Sequence, residues 1–165
     1  MVQHEEENLS LRGATTDDEP FLLELYASTR LDELAVLGWD DSQKQAFIRM
    51  QFLVRERGHS RASDRIVLLD SRPIGRILAT TTEAAILLQD IALLPECRNA
   101  GIGSRLIQDL IKEAAAAGKS IQIHVVTTNP AVRLYERLGF RRSGPESAYE
   151  TAYLEMQWVP AKSSV

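Results

Sequence analysis

Residues Arg98–Leu106 read RNAGIGSRL, between an apolar run, Ala84–Leu94 (AAILLQDIALL), and a segment with helical periodicity, Gly103–Gly118. Glycine is costly inside a helix, so Gly101 and Gly103 at a helix mouth serve the turn itself or something that approaches its backbone. A strand ending at Leu94, a tight loop and a helix from about Gly103 together predict an anion site. The first N–H groups of a helix lack intrahelical partners, and the helix dipole adds positive potential there. Arg98 adds a cation. The plainer reading is a tight strand-to-helix turn and nothing more. Two phosphate motifs are excluded: no Gly-Lys-Ser/Thr ending follows, and Leu106 stands where a dinucleotide fingerprint requires a third Gly or Ala.

Outward from this loop, the apolar run reads as a long strand, buried on both faces and central in a sheet. Before it, DRIVLLD (64–70) and RPIGRILATTT (72–82) are β-rich and joined by a DSRP turn, which predicts a hairpin. LSLRGA (9–14) is a first strand. TTDDEPFLLELYASTR (15–30) is a helix, with Thr16 and Glu19 at capping-box spacing. DSQKQAFIRMQFLVRERG (41–58) is a second helix, with Phe47, Met50, Phe52 and Val54 as its apolar stripe and Gly58 as its stop.

After the loop, the third helix places Leu106, Ile107, Leu110, Ile111 and Ala114 on one face and ends at Gly118. KSIQIHVVT (119–127) alternates as a strand. NPAVRLYERLG (129–139) is a short helix with Asn129 as N-cap and Pro130 first in the helix. FRRSG (140–144) and ETAYLEMQW (150–158) are two closing strands. The order β-α-α-β-β-β-α-β-α-β-β describes one α/β (α+β) domain over residues 1–165, frayed at 1–8 and 160–165.

Composition excludes several function classes. Of 165 residues, 44% are hydrophobic and 25% charged, which is globular and not disordered. A net charge of −4 argues against a nucleic-acid partner. A single cysteine, Cys97, excludes internal disulfides and multi-cysteine zinc sites, and the three histidines have no metal spacing, so no metal is expected. The acidic start MVQHEEENLS is no secretory signal, and Gln89 and Asp90 break the longest apolar stretch, which is too short to span a bilayer. The expectation is a soluble cytoplasmic protein with no membrane partner.

The run Leu88–Ile111 closely resembles motif A of the GNAT acetyltransferase superfamily, Arg/Gln-x-x-Gly-x-Gly/Ala, here Arg98-Asn99-Ala100-Gly101-Ile102-Gly103. NPAVRLYERLGF resembles that family's motif B, with Asn129, Tyr135, Gly139 and Phe140. The resemblance covers nearly the whole chain, weakest over residues 30–64, and implies the GNAT fold: a mixed sheet of about seven strands flanked by about four helices. It also implies an acetyl-CoA site. Backbone N–H groups of Arg98, Asn99, Ala100, Gly101, Ile102, Gly103 and Ser104 would hold the pyrophosphate. The backbone of Ile91, Ala92 and Leu93 would pair with the pantetheine arm, where the central strand splays from the strand at Ile121–Val126. Asn129 would touch the cofactor arm, and Tyr135 would face the thioester sulfur.

The implied reaction moves an acetyl group from acetyl-CoA directly to a primary amine. That chemistry needs a neutral amine, oxyanion stabilisation and a proton for the departing thiolate. Tyr135 is the candidate general acid; read alone, it is a core tyrosine beside Leu134 and Leu138. The base is open. In many members of the family a carboxylate on the central strand serves, but here the face shared with Ile91 and Leu93 carries Glu83, Ala85, Leu87 and Gln89. Glu83 lies at the far end, and Asp90 should point to the other face unless a bulge re-aims it. Gln89 can position a water but cannot act as a base, so a water relay or proton loss to solvent is expected.

His124 reads as a strand histidine, His4 and His59 as surface residues, and Arg141 and Arg142 as solvated strand charges. Cys97 has no partnered histidine and is not expected to be a nucleophile. Asp32, Glu33, Asp40 and Asp41, with Trp39, either form an acidic approach for a cationic amine or a solvated helix-loop-helix. The acceptor is a small-molecule amine or a protein amino group, and a homodimer is compatible with the reading. The rival readings are a non-catalytic acyl-CoA-binding or regulatory module and a transferase of longer acyl groups.

Overall fold

The computed structural model of the protein describes residues 8–144 and 152–161. His4, most of the termini expected to fray, and the first two residues of the last expected strand, Glu150 and Thr151, lie outside the described residues. The elements are β1 Leu9–Gly13, α1 Glu19–Ala35, α2 Asp41–Glu56, β2 Asp64–Leu69, β3 Arg72–Thr81 and β4 Ala85–Leu93. They continue with α3 Ile102–Ala117, β5 Ser120–Val126, α4 Ala131–Arg137, β6 Arg141–Ser143 and β7 Tyr153–Trp158. The strands form one seven-stranded sheet in the order β1-β2-β3-β4-β5-β7-β6, so the apolar run is central, as expected. The element order and the mixed α/β class agree with the sequence reading.

The chain divides into two compact units. The first takes in the described residues up to Leu78 together with Ile91–Arg98. The second takes in Ala79–Asp90 and the described residues from Asn99 onward.

In the first unit, the β2–β3 hairpin turns through Asp70 and Ser71, both at positive φ (48° and 69°), as a two-residue hairpin turn with the sheet's twist requires. Leu22, Tyr26 and Leu34 of α1, Ile48 and Phe52 of α2, and Ile66 of β2 form a buried cluster. The expected stripe on α2 is corrected: Met50 and Val54 are exposed, whereas Ile48 and Phe52 are buried. Positions 48 and 52 are one helical turn apart; position 50 lies about 200° around the helix from 48 and faces solvent. The start of α1 also shifts. The Thr15 backbone N–H and hydroxyl both donate to Asp18 Oδ2 (2.8 and 3.2 Å), so the cap is Thr15/Asp18 rather than Thr16/Glu19, and it closes a 3₁₀ turn, Thr16–Asp18, that precedes α1. Arg12, reaching from β1, forks onto the same carboxylate at 2.7 and 2.8 Å and holds Asp18 well below the usual carboxylate range.

The same unit buries a charged triad that the sequence did not announce. Arg76 on β3 donates from Nε and Nη2 to Asp64 on β2 (2.8 and 2.9 Å). Its Nη1 and Nη2 also reach Glu56 near the end of α2, at 2.7 and 3.3 Å. The Arg76 side chain is 5% exposed and that of Asp64 2%, so one guanidinium clamps a helix end and two strands in the dry interior.

In the second unit, α3 lays Leu106, Ile107, Leu110 and Ala114 against β5, whose Ile121, Ile123 and Val125 are buried. Gly118 ends α3 at φ +66°, in the left-handed cap for which glycine is suited. β5 pairs antiparallel with β7 from Ile121↔Trp158 to Val126↔Tyr153. Phe140, fully buried, closes this core at the end of α4.

Candidate active site

The glycine loop after β4 belongs mostly to the second unit. After a short 3₁₀ turn at Pro95–Cys97, the backbone takes positive φ at Asn99 (59°) and Gly101 (81°), and α3 begins at Ile102, one residue earlier than expected. Gly101 is the N-cap, and its conformation accounts for the glycine: a side chain there would be strained. Gly103 is different. Its φ is not in the left-handed region, and a Cβ built on it meets nothing within 4 Å. The fold gives no reason for glycine at 103, and the space its side chain would take is open. No backbone N–H from Asn99 to Ser104 is matched to an acceptor among the turn and cap bonds of the described residues. Such N–H groups at a helix start attract an anion.

Parallel pairing between β4 and β5 runs from Ala85↔Ser120 to Leu88↔Ile123 and stops, although β5 continues to Val126. Beyond that point Gln89 Oε1 accepts the Thr80 hydroxyl at 2.8 Å. Glu83 lies in a bend before β4, not in the strand. Tyr135 on α4 is 6% exposed, with its ring 5.5 Å from that of Phe140. Burial, and then the negative charge of Asp90, push its phenol up to about 12. The charge felt by Tyr135 is therefore that of Asp90, the acid that strand alternation had set on the face away from Gln89. Asn129 accepts the Ala131 N–H on Oδ1 at 2.9 Å, so it caps α4; the helix begins at Ala131, not at Pro130.

In the first unit, Ile91, Ala92 and Leu93 are half-buried along the end of β4. Arg98 does not stand free beside the loop. Its Nε donates to the Leu93 carbonyl (2.9 Å) and its Nη2 to the Ser28 hydroxyl on α1 (3.2 Å). Cys97 is buried. Of the residues read as an acidic approach, Asp40 caps α2 by accepting the Gln43 N–H at 2.8 Å, and Glu33 pairs with Arg30 at 3.0 Å. Trp39 packs edge-on against Phe47. His59 is not a plain surface residue: it is half-buried, with Nδ1 buried and unpartnered among the described residues. His124 lies opposite Glu155 across β5–β7, 3.3 Å away and largely exposed.

Two features had no sequence signal. Ser28 and Arg98 are separated by 70 residues, and no local pattern links them. The approach of Asp90 to Tyr135 depends on where α4 docks, which alternation along β4 does not encode. Among the described residues, no group of three or more His, Cys, Asp or Glu side chains is placed to hold a metal ion, and no helix is long and apolar enough to cross a membrane.

A seven-stranded mixed sheet with a tight glycine loop at the start of α3 and a buried tyrosine on the next helix, α4, is the GNAT fold. Residues 51–142, more than half of the chain, match the acetyltransferase (GNAT) domain family, and the protein belongs to that family. No curated protein matches the chain by sequence. Among solved structures, the chain is similar to the PaiA N-acetyltransferase from Thermoplasma acidophilum in complex with coenzyme A. The two are 18% identical, with a TM-score of 0.68, over 92% of this chain and 99% of that one. It is also similar to yncA from Salmonella typhimurium with its cofactor acetyl-CoA (19% identity, TM-score 0.56, 96% of this chain and 97% of that one). Identities this low establish the fold.

Proposed function

We propose that the protein is an N-acetyltransferase that transfers an acetyl group from acetyl-CoA directly to a primary amine, on a small molecule or at a protein amino group. The observation that carries this reading is Gly103, a glycine that the fold does not need, facing open space at the start of α3. Backbone N–H groups from Asn99 to Ser104 hold the pyrophosphate, and a side chain at 103 would fill the cradle. Ile91, Ala92 and Leu93 offer strand backbone to the pantetheine arm, and Asn129 keeps its amide N–H₂ for the same arm while its oxygen caps α4. Bound acetyl-CoA supplies an acyl thioester, a carbon already activated toward nitrogen.

Tyr135 holds a proton on Oη throughout the neutral range, because its pKa is raised to about 12. It is the donor to the sulfur. Asp90, whose charge acts on Tyr135, is the carboxylate to which a water relay carries the amine's proton. Gln89, bonded to Thr80, positions water near the strand.

The test sets affinity against stability. Gly103→Val raises the coenzyme A dissociation constant at least about tenfold, or ~1.4 kcal/mol. Gly103→Ala leaves the unfolding midpoint unchanged or higher, since alanine exceeds glycine in helix propensity by up to ~1 kcal/mol. Calorimetric titration and denaturant unfolding read the two effects. Unchanged affinity in folded Gly103→Val would refute the cradle. Binding without thiol release from acetyl-CoA across a panel of amines would favour the non-catalytic module.

A further inference from the structure

The motif's arginine was expected to supply a cation to phosphate, yet its side chain is engaged elsewhere. One edge of the Arg98 guanidinium, carrying Nε and Nη2, spans two acceptors: the Leu93 carbonyl at 2.9 Å and Ser28 Oγ at 3.2 Å. The Ser28 hydroxyl in turn donates a hydrogen bond to the Leu25 carbonyl at 2.7 Å. The result is a continuous hydrogen-bonded line from the end of β4, through Arg98, into the body of α1. Leu94, the next residue, donates its N–H to the Ile74 carbonyl on β3 at 2.8 Å. The end of β4 is thus held by a backbone bond to β3 and, through Arg98, by a side-chain bond to α1.

From this geometry we infer that Arg98 is a positioning residue: a strut that fixes the backbone of Ile91–Leu93 for the pantetheine arm, not a charge that grips phosphate. The inference rests on the acetyl-CoA reading for its ligand but on the Leu93–Arg98–Ser28 geometry for its mechanism. The chemistry explains the residue type. A planar fork serves two acceptors in fixed directions, whereas lysine offers a point charge on a flexible stem. A strut and a phosphate cation therefore respond differently to the same substitutions. The strut needs shape, and the cation needs charge.

The experiment compares coenzyme A with pantetheine, which lacks the phosphates, by NMR titration of the full chain and of Arg98→Ala, Arg98→Lys and Ser28→Ala. A strut predicts that Arg98→Ala weakens both ligands by a similar factor, on the order of five- to tenfold, a loss of the size expected for one or two charge-assisted hydrogen bonds. It also predicts that Arg98→Lys does not rescue, that Ser28→Ala shows a smaller loss with the same pattern, and that the salt dependence of coenzyme A binding keeps its slope. Loss confined to coenzyme A, rescued by lysine and accompanied by a shallower salt dependence, overturns the strut in favour of a phosphate cation. Unchanged affinity for both ligands in Arg98→Ala overturns it outright.

Hydrogen exchange on the unliganded protein separates this from the acetyl-CoA reading. Faster exchange across residues 91–94 in Arg98→Ala and Ser28→Ala supports the strut even if the wild type binds no coenzyme A. Unchanged exchange there counts against the strut even if the wild type binds tightly.

Discussion

Tyr135→Phe lowers the acetyl-transfer rate roughly 10²–10⁴-fold, the usual cost of losing a positioned general acid, while coenzyme A affinity stays nearly constant. The ring stays packed against Phe140, so the substitution removes a proton donor and little else. The pH dependence follows from the raised pKa. A phenol that ionises only near 12 remains protonated across the neutral and mildly alkaline range, so the wild-type rate shows no loss of the acid form below about pH 11. Stability follows the same proton. Because the folded-state value exceeds the ordinary value of about 10, the phenol's contribution is intact below that pH. It is lost as pH rises toward about 12. Asp90→Asn removes the negative charge that opposes phenolate formation, so Tyr135 should titrate at lower pH while still held above 10 by burial. An ultraviolet titration against the Tyr135→Phe background isolates that shift. Full activity of the Phe variant at every pH would make Tyr135 a packing residue and water the acid.

Arg76→Met destabilises the fold by about 3–5 kcal/mol, because it leaves two carboxylates in the interior with no cation. Asp64 is 2% exposed at its side chain, and the Glu56 side chain 16%, so water cannot readily replace the guanidinium at Asp64. Denaturant unfolding measures the loss. Adding Asp64→Leu and Glu56→Met to the same chain should restore much of it, since an apolar set of similar size carries no desolvation penalty. A change under about 1 kcal/mol in Arg76→Met would show that the triad contributes little, as exposed ion pairs do.

Much of the architecture was readable because it is local. The order of elements follows from periodicity and punctuation: β-rich runs around the DSRP turn, an apolar stripe from Leu106 to Ala114, and glycines that end or begin helices. Each signal lies within a few residues of what it specifies, and GNAT-like spacing in two motifs connected them into one fold. Where helical phase is ambiguous, local sequence does not decide: Met50 and Val54 are apolar enough for the core, but packing with Ile66 of β2 turns the Ile48 and Phe52 side of α2 inward. The capping box slipped by one residue for a similar reason. Thr15 and Asp18 compete with Thr16 and Glu19 on equal local terms, and Arg12 from β1 settles the choice.

The sequence by itself determined the glycine loop, its helix and the class of ligand such a loop attracts, since unpaired N–H groups and a φ of +81° are properties of a short stretch of backbone. Only the tertiary structure decided what the charged side chains do. Arg98 reaches the Leu93 carbonyl and the Ser28 hydroxyl, the charge of Asp90 acts on Tyr135, and Arg76 lies inside between Asp64 and Glu56. The physical reason is range. Backbone conformation is dictated by neighbours in sequence, whereas the partner of a long charged side chain is whichever group folding brings within about 3 Å; here that group was as much as 70 residues away.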